Sequence, residues 1–191
     1  MPGTSRTPST SKPFFTVGHS THPLEALAAL VKGAGARFIV DVRTVPRSRT
    51  NPQYNRETLP AALRAFGLGY AHVAALGGLR SKTPGVAPEV NAFWQNQSFH
   101  NYADYAMGPA FAEGMHILRQ LQDDSGSCAV MCAEALWWRC HRRIITDYLL
   151  AGGQAVNHIL ASGKVEAAKI TEAARPGPGG VLTYPAGDLL G

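Results

Sequence analysis

Ala129-Val130-Met131 runs directly into Cys132-Ala133-Glu134-Ala135-Leu136-Trp137-Trp138-Arg139-Cys140-His141-Arg142-Arg143. The three leading residues are apolar and read as a buried strand. The twelve that follow hold two thiols, a carboxylate, an imidazole and three guanidinium groups. Polar, redox-capable side chains at the end of a core strand are costly to place. Two similar clusters occur earlier. Gly18-His19-Ser20 follows the apolar run Phe14-Phe15-Thr16-Val17, and Asp41-Val42-Arg43 follows Phe38-Ile39-Val40. Three strand ends carrying ionisable side chains point to one shared cleft.

The segments between these strands have helical spacing. Leu24, Leu27, Ala28 and Val31 share one face after Pro23, and Gly33 and Gly35 end that helix. A second helix is expected over Leu59–Phe66 with Thr58 at its cap, since Pro60 fits only a first turn. Tyr70–Val73 reads as the third strand, Pro109–Gln122 as a helix, Cys128–Met131 as the fourth strand, Arg142–Leu150 as a helix and Ala155–Ile159 as the fifth strand. Strands alternating with helices imply parallel pairing with right-handed crossovers. The fold expected is therefore α/β: three layers, a mostly parallel five-stranded sheet, helices on both faces, one domain over residues 13–170. In such sheets the ligand site lies at the carboxyl ends of the strands, which gathers the three polar clusters. Residues 81–108 lack clean periodicity and are rich in Pro, Asn, Gln and aromatics, as lids and binding loops are. Residues 1–12 read as a disordered tail, and the Pro/Gly-rich segment 171–191 as a second tail, loosely ordered from Ala174 on.

The chain has 191 residues, is 45% hydrophobic and 16% charged, and carries a formal net charge of +5. That length buries a core without disulfide staples. The charge is uneven. Residues 37–82 hold eight Arg or Lys against Asp41 and Glu57, a local net of +6. A patch of this kind suits an anionic ligand, either a phosphate-bearing molecule or nucleic acid, or else it is a solvated Arg-rich loop. Three cysteines give an odd count without a secreted framework spacing. No apolar run approaches the roughly 20 residues of a membrane span, and the N-terminus lacks a signal-peptide apolar core. A cytoplasmic protein without membrane contact is expected, with thiols reduced unless they are catalytic.

Each cluster has a chemical and a structural reading. His19 serves as a base, a phosphate contact or a capping group, beside Ser20 at a helix N-terminus that favours anions. Asp41 and Arg43 point the same way, because side chains alternate along a strand. They are either a paired bridge at the sheet rim or a carboxylate held ionised and aimed into the cleft. Glu134 either shares the cleft with Asp41, where two carboxylates can divide acid and base roles, or pairs with Arg43, Arg139 or Arg142. Arg49, His141 and Arg142 extend the positive surface for anion recognition. Cys132 and Cys140 invite four readings. A phosphatase-type loop fails on spacing, since Trp138 stands where an Arg is needed. A zinc site with His141 and His19 matches no familiar spacing. A redox pair is favoured by the position of Cys140 just before a helix. Plain packing is the fourth. Trp94, Phe93, Tyr102, Trp137 and Trp138 could stack on a flat ring or fill the core. His116 and His158 are read as structural.

Taken together, Val17-Gly18-His19-Ser20, Val40-Asp41-Val42-Arg43 with Pro46, Ser48 and Arg49, Leu76-Gly77-Gly78, and Cys132-Ala133-Glu134 followed by Cys140-His141-Arg142 resemble the DUF488 proteins. The resemblance covers about residues 15–150. It implies a compact α/β domain and marks these clusters as a signature, while the family's name assigns no reaction. Ala135-Leu136-Trp137-Trp138 is more apolar than the polar or Pro-containing loop usual there. The leading expectation is an enzyme acting on a phosphate-bearing, nucleotide or nucleic-acid-derived substrate. Asp41, Glu134 and His19 would do the chemistry, and Ser20, Arg43, Arg49, His141 and Arg142 would hold the anion. No cofactor is required. The alternatives are a nucleic-acid-binding module without turnover and a thiol-based redox protein using Cys132 and Cys140.

Overall fold

A computed structural model describes residues 12–187. The expected N-terminal tail, apart from Lys12, and residues 188–191 lie outside it.

Five parallel strands form the centre: β1 (Phe14–Gly18), β2 (Phe38–Asp41), β3 (Gly69–His72), β4 (Cys128–Cys132) and β5 (Val156–Ile159). A sixth strand, β6 (Val165–Ala167), pairs antiparallel with β5, giving the order β3-β2-β4-β1-β5-β6. β4 lies between β1 and β2, so the three polar strand ends sit side by side. The sixth strand escapes the sequence pattern because it is short and its side chains are exposed or half-buried, leaving no apolar run to read.

Helices α1 (Leu24–Ala34) and α2 (Leu59–Ala65) cover one face; α3 (Gln97–Ala106), α4 (Pro109–Ser125) and α5 (Arg142–Ala151) cover the other. The period-2 alternation of β4 feeds both layers. Cys128, Val130 and Cys132 pack toward α3–α5, while Ala129 and Met131 pack toward α1 and α2. α1 buries the four residues its spacing singled out and ends on Gly35 at φ 99°, a left-handed conformation that favours glycine. α3 is capped by the Asn96 side chain, which accepts from the Ser98 and Phe99 amides.

Two expectations change. The segment 81–108, expected to be an irregular lid or binding loop, contains α3 and is tied to the strand-end loops by hydrogen bonds. Tyr102 and Tyr105 donate to the carbonyls of Leu76 and Ala75, and buried Asn91 donates to Asp104. The C-terminal segment is also ordered through residue 187. Strands β7 (Arg175–Pro176) and β8 (Leu182–Thr183) pair, and Leu182 and Tyr184 are fully buried. Tyr184 donates from its hydroxyl to Asp147 and from its amide to Asn91. A Pro/Gly-rich composition hides such single anchors.

Candidate functional site

The loop after β4 crosses directly over the end of β1. His19 and Ser20 donate their amides to the carbonyls of Cys132 and Ala133. A Cβ on Gly18 would stand 2.0 Å from the Glu134 carbonyl oxygen, so only glycine admits this crossing. Ser20 takes φ 45°, a strained conformation for a residue with a side chain, in the same turn. Above these loops opens a cleft of about 680 Å³ whose walls include His19, Ser20, Arg43, Glu134, Cys140 and His141.

Asp41 does not face that cleft. It is 0% exposed. Its Oδ1 accepts from the Arg43 amide at 3.1 Å and Nε at 2.9 Å; its Oδ2 accepts from Arg43 Nη2 at 2.6 Å and from Tyr70 OH at 2.8 Å. Every favourable acceptor direction is occupied, so the carboxylate expected to do chemistry has no open face toward the cleft. The period-2 argument placed Asp41 and Arg43 on one side, but that side is the α1–α2 core. Burial and the Asp41 charge push the Tyr70 phenol upward, so it stays a donor.

Arg43 is almost wholly engaged as well. Besides Asp41 it donates from Nη2 to the Tyr54 carbonyl and from Nη1 to His19 Nε2 at 3.3 Å. Of its five N–H groups, one on Nη1 is left over for the cleft. His19 donates from Nδ1 to the Ser20 carbonyl and stacks on Tyr54, ring centroids 3.9 Å apart. Burial, with Arg43 also opposing a charge, lowers its pKa to about 4. His19 is thus a neutral ring with one nitrogen donating and the other accepting. It braces Arg43 and has no free lone pair for general-base work. Tyr54, which supports both residues, carried no sequence signal, because its role depends on where its loop folds back.

The thiols are differently placed. Cys132 and Cys140 are free, both buried, with sulfurs 2.7 Å apart. Cys140 Sγ receives the Arg142 amide at 3.5 Å, Arg142 Nε at 3.4 Å, and faces His141 Nδ1 at 3.5 Å. With the Cys132 S–H, three donors converge on one sulfur, and the His141 Nδ1 lone pair faces it as a proton acceptor. Burial alone would raise its pKa, yet the bonds from Cys132 and His141 and the Arg142 charge outweigh it and hold the Cys140 thiol well below its ordinary value. Burial and the bond to Cys140 push Cys132 the other way, so it remains the protonated partner.

His141 is wedged to serve this sulfur. Its Nε2 donates to the Val42 carbonyl at 2.9 Å, which leaves Nδ1 toward Cys140. A Cβ on Gly78 would lie 2.5 Å from Nδ1, and one on Gly77 would lie 2.6 Å from Thr44 Oγ1. Gly78 therefore admits the imidazole, and Gly77 admits the neighbouring Thr44.

The remaining expected residues divide. Glu134 lines the cleft, exposed, with Oε1 accepting from the Leu136 amide. Arg142 is only 1% exposed, lies beneath the cleft and donates from Nη2 to the Glu134 carbonyl, so it holds the loop and the sulfur rather than a ligand. Arg49 is exposed but does not line the cleft; Arg47, paired with Glu57, and Arg139 do. Several other cations of the basic segment are committed locally. Arg37 donates to the carbonyls of Lys32 and Ala36, and Arg80 to those of Ala74 and Gly77 while covering the Tyr105 ring. Trp94 stacks on Phe99, and Trp137 on His158 at 4.2 Å. Among the described residues no three His, Cys, Asp or Glu side chains gather as a metal site, and no helix is long and apolar enough to cross a membrane.

Fold and site together define a single-domain α/β protein with a paired-cysteine, arginine-edged cleft at the carboxyl ends of a parallel sheet. The family model described as a domain of unknown function, DUF488, matches residues 23–149, and the chain belongs to that family. The match contains the Asp41–Arg43, Gly77-Gly78 and Cys132–Arg142 segments and begins just after His19. No curated protein and no solved structure matches the chain significantly.

Proposed function

We propose that the protein is a thiol-based enzyme that acts on an anionic substrate in this cleft, with Cys140 as nucleophile. The convergence of Cys132, His141 and two Arg142 donors on Cys140 Sγ carries the reading, because a thiolate is the attacking form of cysteine. In the reaction, Sγ forms a bond to the electrophilic atom of the substrate. The leaving group departs with the bonding electrons and takes the proton that the thiol surrendered to His141 Nδ1. The leftover Arg43 N–H, Arg47 and Arg139 favour a phosphate- or carboxylate-bearing substrate over a cation. This reading replaces the carboxylate pair as the chemical centre. Glu134 remains at the cleft wall.

The test is iodoacetamide alkylation across a pH series, with the modified cysteine mapped by mass spectrometry. Cys140 is expected to react with a midpoint well below the ordinary thiol value of about 8.5, and inorganic phosphate or pyrophosphate is expected to slow it. An ordinary midpoint, or labelling confined to Cys128, overturns the proposal.

A further inference from the structure

Arg142 is buried, and among the described residues no carboxylate lies within ion-pair distance of it. Glu134 offers it only a backbone carbonyl, its own carboxylate being turned to the Leu136 amide. A buried guanidinium without a counter-charge is strongly destabilising. The ionisable groups beside Arg142 are the two thiols, and Cys140 accepts from both its Nε and its amide. The thiolate is therefore the counter-ion of this cation. Cys132 stands against the same sulfur, so any two-electron oxidation of Cys140 has a resolving thiol at hand.

Resting on Cys140 as the nucleophile, we infer that Cys132 and Cys140 form a dithiol–disulfide couple that Arg142 holds toward the reduced side, so that the disulfide is an oxidant toward ordinary thiols. The exchange balances with glutathione as the small-molecule partner. The Cys140 thiolate attacks one sulfur of glutathione disulfide, that S–S bond breaks, and one glutathione leaves. The Cys132 sulfur, giving up its proton, attacks Cys140 Sγ and expels the second. Two electrons pass from protein to glutathione, and the two thiol protons end on the two glutathione molecules. In the protein disulfide neither sulfur carries charge. Arg142 then stays buried without its counter-ion, and the reverse reaction is favoured. Such stabilisation of the reduced form is what makes a disulfide strongly oxidising. An ordinary disulfide raises stability by constraining the unfolded chain; this one is expected to lower it.

The experiment equilibrates the full chain with glutathione buffers, quenches with acid and quantifies the Cys132–Cys140 disulfide by mass mapping, folded and in denaturing urea. The folded protein is expected to need about tenfold or more oxidising buffer than the unfolded chain to reach half disulfide, and the oxidised protein to melt below the reduced one. Arg142→Met should erase that difference. A folded chain that closes the bond as readily as the unfolded one, an oxidised form that melts higher, or a folded R142M protein with an unchanged equilibrium overturns the inference. If R142M does not fold, the wild-type comparison decides alone. A low alkylation midpoint with an ordinary glutathione equilibrium sinks this inference and spares the nucleophile; loss of the low midpoint sinks both.

Discussion

At the end of β2, Asp41 precedes Arg43 by two residues; just before α5, Cys140 precedes Arg142 by two. Both pairs are buried, and in both the arginine donates through Nε to its partner. They differ in what the anion can do. A carboxylate that accepts four hydrogen bonds is closed to a ligand, and the Asp41–Arg43 pair is scaffold. The Cys140 sulfur is held by softer, longer contacts and is the nucleophile of the proposed function. It lies against the cleft with a second thiol and an imidazole at its side. The same spacing of side chain and arginine thus builds a wall in one place and, on the proposed function, a reactive group in the other. What separates them is which member reaches the opening: the arginine in the first pair, the sulfur in the second.

The largest effect should come from breaking the scaffold pair. Asp41→Ala leaves Arg43 buried and unpaired, at a cost of about 3–5 kcal/mol, measurable by urea denaturation. A loss under about 1 kcal/mol would show that Asp41 is not the structural member of the comparison.

Acid should sharpen it next. His19 and His158 are buried neutral, and burial lowers both to about 4 from the ordinary 6.5. The unfolded chain therefore binds more protons below pH 6.5. Stability is fully present above that pH and falls as the pH drops toward 4, by about 3 kcal/mol per histidine. Denaturation of wild type and His158→Gln at pH 7 and pH 4 checks this. The variant should lose roughly 3 kcal/mol less between the two pH values, and equal losses would contradict the assignment.

Gly78→Ala tests the reactive pair through its support. The added methyl group displaces the His141 ring, so the Cys140 alkylation midpoint should rise toward the ordinary thiol value while the protein loses about 1–3 kcal/mol. A stability loss with no change in midpoint would mean that His141 does not serve the sulfur. The smallest effect belongs to the surface. Glu57→Gln breaks an exposed pair with Arg47 and should leave the thermal midpoint unmoved. The freed Arg47 should strengthen protection of Cys140 by phosphate. Unchanged protection would remove Arg47 from the anion site.

Much of the frame was legible because periodicity reports burial directly. Leu24, Leu27, Ala28 and Val31 gave α1, and the continuous apolar runs gave β1, β2 and β4. β6 and the Leu182–Tyr184 anchor were not, since an edge strand and a single buried tyrosine leave no period to detect. In the site, the gathering of His19, Arg43 and the cysteine loop followed from strand-end logic. The sealing of Asp41 and the engagement of both His19 nitrogens did not.

Local order thus determined which residues would be strands, which side chains share a side of a strand, and that ionisable groups end three strands. These depend on separations of a few residues along one chain direction. Tertiary structure alone decided that Cys132 and Cys140 touch, that Arg142 faces sulfur rather than a carboxylate, and that Tyr54 and Gly78 shape the two histidines. Those outcomes depend on how separate loops cross, and burial energy fixes that only once the layers have closed around the sheet.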